Sequence, residues 1–108
     1  MTAKARAKLP ETAAAGETVT VRTLIRHRME SGHRRDAAGE LVPRDIVNRF
    51  TATFNGETVF SAELGTGIAA NPYLEFTTRI DEPGTFRFAW TDDAGERVEI
   101  EREIALRD

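Results

Sequence analysis

The chain contains no cysteine among its 108 residues. That excludes a disulfide framework, a thiolate metal site and a nucleophilic thiol supplied by this chain. It does not assign a compartment, because exported proteins can also lack cysteine. No apolar run approaches the roughly twenty residues of a membrane-spanning helix. The N-terminal stretch MTAKARAKLPETAAAGETV is basic but has no apolar core of a signal peptide, and the Ala13–Ala15 run is too short to act as one. Taken alone, the sequence reads as cytoplasmic. Neither charge sign dominates: 15 basic residues face 18 acidic ones, a net charge of −3. That balance argues against a nucleic-acid binder, which would concentrate basic charge on one face.

What is present fits one soluble globular domain spanning residues 1–108, with 40% hydrophobic and 31% charged residues. No segment shows a helical period. Alternation of period two recurs instead. Ala3, Ala5, Ala7 and Leu9 alternate with Lys4, Arg6 and Lys8, and Pro10 ends that run. Val19, Val21, Thr23 and Ile25 share a face within Glu17–His27. Phe50, Ala52 and Phe54 do so within Ile46–Phe54, and Asn55-Gly56 then supplies a two-residue type I′ hairpin turn. The returning strand runs from Glu57 to Leu64. Leu74, Phe76, Thr78 and Ile80 precede turn chemistry at Asp81–Gly84. Phe86, Phe88 and Trp90 follow as a core stripe. Asp92–Gly95 reads as a further tight turn, with Gly95 in a left-handed conformation. The last strand carries Val98, Ile100, Ile104 and Leu106, while Arg102 breaks its inward face and suggests a bulge or a partly exposed edge. The pattern predicts an all-β, immunoglobulin-like antiparallel sandwich of about seven strands, without the Cys–Trp–Cys signature of antibody domains.

The longest connection, His27 to Asp45, is far above the usual four to six or so residues, which marks it for recognition. Arg26, Arg28, Arg34, Arg35 and Arg44 alternate there with Glu30, Asp36, Glu40 and Asp45. Met29, Leu41 and Val42 suggest that both ends are pinned onto the domain.

No catalytic set emerges. His27, Glu30 and His33 are spaced by three, with Asp36 next, but they lie in a glycine-containing loop and a third histidine is missing. Ser31, His33 and Asp36 make a hydrolytic triad only on paper, because consecutive loop residues do not hold that geometry and no oxyanion hole is evident. Gly65-Thr66-Gly67 lacks the Lys and following Ser/Thr of a phosphate loop. Asn71-Pro72-Tyr73 reads as a rigid entry into the next strand.

Four segments carry a resemblance. They are HRMESGHRRDAAGELVPRDI (His27–Ile46), FTATFNGETVFSAEL (Phe50–Leu64), ANPYLEF (Ala70–Phe76) and GTFRFAWTDDAG (Gly84–Gly95). In this order and spacing they resemble the SoxZ family, the small subunits of the SoxYZ carrier of bacterial sulfur oxidation. The chain departs from the family pattern at Arg28, where a proline usually follows the loop histidine. It departs again at Ala52, where family members can carry a cysteine.

The resemblance implies a non-catalytic subunit that pairs with a SoxY-like subunit. In that family the partner's arm cysteine carries sulfur intermediates during thiosulfate oxidation, and other enzymes of the system dock transiently. It implies no cofactor and no metal for this chain. It also implies a periplasmic location, reached by co-export with a partner that bears the signal. Partner-binding residues are expected in the two prominent loops: Arg28, Met29, Arg34, Arg35, Ile68, Asn71, Pro72 and Tyr73. The alternative is a stand-alone β-sandwich binding module, either adhesion-type or handling a metal such as copper through His27, Met29 and His33.

Overall fold

A computed structural model describes residues 4–107. Eight strands follow one another: β1 (Ala5–Lys8), β2 (Thr12–Ala13), β3 (Glu17–Ile25), β4 (Val47–Phe54), β5 (Glu57–Glu63), β6 (Tyr73–Ile80), β7 (Gly84–Asp92) and β8 (Arg97–Leu106). They form two sheets, of order β1-β3-β6 and β2-β8-β7-β4-β5. This is the all-β sandwich that the alternation predicts, with one strand more. The addition is β2, whose two residues pair parallel with Ala105 and Leu106. Two residues carry no readable alternation. Ala3, assigned above to the first strand, lies outside the described residues.

The core fills the space between the sheets. Phe86, Phe88 and Trp90 on β7 stand opposite Phe54, Ala52 and Phe50 on β4. The small Ala52 makes room between the larger rings. Phe50 is the hub, with ring centroids 5.0 Å from Trp90, 6.0 Å from Phe60 and 6.5 Å from Phe76. Val19, Val21 and Ile25 of β3 and Phe76 and Ile80 of β6 cover them from the other sheet, and all are buried. Phe54 is half-buried at the sandwich end. Among the described residues the one buried hydroxyl of this face, on Thr23, donates to the Leu74 carbonyl at 2.9 Å, so its burial leaves no unpaired donor.

Two bulges shape the larger sheet. Val59 is the extra residue of β5 opposite Ala52 and Thr53, and Asn48 is the extra residue of β4 opposite Thr91 and Asp92. Arg102 produces no bulge. It pairs in register with Phe86, and it is tolerated because β8 lies at the sheet margin, its outer edge hydrogen-bonded only to the short β2.

Candidate functional site

Antiparallel order puts the ends of β3, β5 and β7 and the starts of β4, β6 and β8 at one end of the sandwich. Both long loops and the Asp92–Gly95 turn therefore share that end.

The His27–Asp45 connection is a β-ribbon. Glu30 and Asp45 exchange backbone hydrogen bonds of 2.9 Å each way, and Arg35 bridges Leu41 further out. At its tip Asp36 Oδ1 accepts from the Ala38 and Glu40 amides at 2.9 and 3.0 Å, which closes a turn with Gly39 at φ 83°.

Two anchors hold the base. The first is Asp93. Its carboxylate accepts from Arg44 Nε and Nη2 at 2.7 and 2.9 Å, from Asn48 Nδ2 at 2.9 Å and from the Ile46 amide at 3.2 Å. The β4 bulge aims Asn48 at it. Hydrogen bonds from Arg44, and next from Asn48, hold this carboxyl below its ordinary value. The second anchor is Met29. It is buried, and its sulfur accepts from the Val47 amide at 3.2 Å. The left-handed backbone of Met29, φ 53°, turns the chain inward there.

His27 joins the two loops. Its amide donates to Asn71 Oδ1 at 2.9 Å, and its carbonyl accepts from the Asn71 amide at 2.7 Å. Its imidazole is buried against Asp92 and Asp45, with Nε2 at 3.4 and 3.8 Å from their carboxylates. Among the described residues these three form a cluster with metal-ligand elements. The hydrogen bonding says otherwise. Nδ1 accepts from the Met29 amide at 3.0 Å, so the ring proton of the neutral imidazole sits on Nε2, which makes no hydrogen bond to either carboxylate, and Asp45 Oδ1 is left without a partner among the described residues. A metal at Nε2 would need that proton gone while Nδ1 stays unprotonated, which is an imidazolate. The ring packs loosely against the two carboxylates, beyond hydrogen-bond reach of Asp45.

The metal set expected from sequence, His27, Met29 and His33, is not brought together. The Met29 sulfur faces the Val47 backbone, and His33 is exposed, with its amide on Ser31 Oγ.

Of the expected partner-binding residues, Arg28, Arg34, Arg35, Ile68, Asn71 and Tyr73 are exposed, whereas Met29 and Pro72 are buried by the chain itself. Arg34 is engaged by Glu30 at 2.7 Å, which also lowers the Glu30 carboxyl below its ordinary value. Among the described residues Arg26, Arg28 and Arg35 have no carboxylate partner. Leu41, Ile68 and Tyr73 add exposed apolar surface on the loops of this end and at the start of β6. Sequence reasoning read Asp93 only as a turn residue. The doubled aspartate before Gly95 was the available signal.

By fold and geometry the chain is a small immunoglobulin-like β-sandwich with one end elaborated into loops. It belongs to the family described as Sulphur oxidation protein SoxZ, which matches residues 6–103. As such it is a subunit of the sulfur-oxidation carrier complex. No curated protein matches the sequence. Among solved structures, a superoxide reductase (neelaredoxin) from Ignicoccus hospitalis is 17% identical, with a TM-score of 0.70 over 96% of this chain and 80% of its own. The sulfur carrier protein SoxY from Chlorobium limicola f thiosulfatophilum is 12% identical, with a TM-score of 0.69 over 99% and 82%. At these identities the likeness is one of fold. Among the described residues no helix is long and apolar enough to cross a membrane.

Proposed function

We propose that this chain is the non-catalytic half of a SoxYZ-type carrier. It pairs with a SoxY-like subunit whose arm cysteine holds the sulfur intermediates of thiosulfate oxidation, and it works in the periplasm after co-export with that subunit. The observation that carries the reading is the family match over residues 6–103 in a chain without cysteine. A carrier of sulfur adducts needs a thiolate, so the thiol belongs to the partner. The loop-bearing end supports a second part of the proposal. Its unpaired arginines and exposed Leu41, Ile68 and Tyr73 form a docking end for the enzymes that act on the loaded arm.

The test is co-expression with the cognate SoxY-type subunit, followed by calorimetry and by mass spectrometry of the arm cysteine. A stable heterodimer that carries thiosulfate-derived adducts is expected. A monodisperse chain with no affinity for that subunit overturns the proposal.

A further inference from the structure

The four outer strands of the two sheets are not alike. β1 is four residues long and packs against β8, and β2 is two residues long and covers only one end of β8. β5 is interrupted by its bulge at Val59. β6 differs from these. It pairs with β3 over eight consecutive residues without a register shift, and it contains no proline, lysine or bulge. Its other edge has no strand neighbour among the described residues. Long, flat, uninterrupted edges are what proteins ordinarily blunt, unless another chain covers them.

The phase of the ladder tells which main-chain groups face outward. The Ile25 amide donates to the Pro72 carbonyl at 3.3 Å, and the Gly16 amide donates to the Ile80 carbonyl at 2.7 Å. Even-numbered residues of β6 therefore direct their backbone groups at β3. Tyr73, Glu75, Thr77 and Arg79 direct theirs at the free edge. The side chains of those same four residues are exposed.

This set is self-complementary. With a second β6 laid antiparallel about a two-fold axis at Thr77, Glu75 falls opposite Arg79 of the other copy, and Arg79 opposite its Glu75. Opposite charges facing directly across a strand pair are favourable and like charges are not. Glu75, Thr77 and Arg79 would each give and accept a backbone hydrogen bond. We propose that the free edge of β6 is a self-association edge, joining two copies of this chain through a continuous β1-β3-β6-β6-β3-β1 sheet. The contact is isologous and closes on itself. It uses a surface separate from the exposed loop arginines and shares only Tyr73 with the docking end. An edge contact of this size belongs to the weak class of interfaces.

Sedimentation of the full chain at concentrations up to about 1 mM tests this, because weak interfaces of this kind are populated there. A monomer–dimer equilibrium is expected. Glu75→Arg alone and Arg79→Glu alone should each weaken it by about tenfold, because two attractive pairs become repulsive. An equimolar mixture of the two variants should recover it, because each then supplies the charge the other lacks. Thr77→Pro should abolish it while leaving the fold intact, since the amide it removes faces the free edge. Ser61→Pro on β5 should leave it unchanged. A wild-type chain that stays monomeric throughout overturns the proposal. So does a mixture that fails to recover, or a Thr77→Pro chain that melts like wild type and still dimerises. None of these results bears on pairing with a SoxY-type subunit, which is measured separately.

Discussion

The side-chain amide of Asn55 fills the space that a Cβ on Gly84 would occupy. Asn55 forms the first hairpin turn at φ 50°. Its amide also reaches across to the Asp81–Gly84 turn. Oδ1 accepts from the Thr85 amide at 2.9 Å, and Nδ2 donates to Glu82 Oε1 at 3.0 Å and to the Pro83 carbonyl at 3.2 Å. Two turns are thereby tied by one residue. Gly84→Ala should cost about 1–3 kcal/mol, because the amide must leave and its partners lose their hydrogen bonds. In an Asn55→Gly background, which keeps the positive φ, the same substitution should cost much less. Urea titration of the four chains checks this, and an unchanged cost in that background would remove the steric account.

Trp90 is buried to 1% exposure and packs at a tilt against the Phe50 hub, so Trp90→Ala should cost about 3–5 kcal/mol. Its indole N–H has no partner in the structure. Trp90→Phe discards that unpaired donor along with part of the ring, and it should cost clearly less than Trp90→Ala. A loss below about 1 kcal/mol for Trp90→Ala in denaturant titration would contradict the packing described.

The fold was legible where side chains alternate. Phe86, Phe88 and Trp90 marked β7, and Asn55-Gly56 marked the β4–β5 hairpin, because period two and positive φ are written locally. The site was less legible. Pro72 stands in a polar loop and was expected to meet a partner, but it is buried. Met29 was expected both to pin its loop and to meet a partner, and it is buried, whereas Leu41, expected to help pin the loop, is exposed. The inward turn at Met29 depends on a backbone conformation that methionine does not advertise. The Glu30–Asp45 pairing joins residues with no alternation between them, so a ribbon read as a plain loop. His27 looked like a candidate ligand because sequence does not show that Nδ1 is already taken by the Met29 amide.

Acid should loosen the loop end. Asp93 is held below its ordinary carboxyl value by Arg44 and then Asn48, and Glu30 by Arg34. Folded-state values below the unfolded ones mean a contribution that is complete above about pH 4–5 and is lost as pH falls through the folded-state values. Asp93→Asn should therefore lower stability at neutral pH and flatten its decline at low pH. Thermal melts of both chains between about pH 2 and 7 measure this, and parallel curves would show that Asp93 contributes no proton linkage.

Tyr73 is the sole tyrosine, so its ionisation can be followed by ultraviolet absorbance without interference from another. Its hydroxyl donates to Glu75 Oε1 at 2.7 Å, and that bond, with the nearby negative charge, raises the phenol above its ordinary value. The titration midpoint should lie above that of free tyrosine. Glu75→Gln should move it back down, because the neutral amide no longer opposes the phenolate. A midpoint unaffected by Glu75→Gln would mean that the pair does not persist in solution.

The loop arginines give the last test. Arg34 is neutralised locally by Glu30, so the charge available to an incoming partner resides on Arg28 and Arg35 in the ribbon, with Arg26 at its base. Charges at an interface rim act chiefly on association rate and its dependence on salt. The Arg28→Ala/Arg35→Ala double variant should keep its fold and its pairing with a SoxY-type subunit. It should slow the encounter between the loaded carrier and the enzymes that process it, and flatten the salt dependence of that step. Arg34→Ala alone should act differently, because it leaves the half-buried Glu30 without its partner and loosens the ribbon base. Stopped-flow association at several ionic strengths separates the two. If the double variant matches wild type at every salt concentration, these arginines only solvate the ribbon, and the docking role proposed for this end is lost.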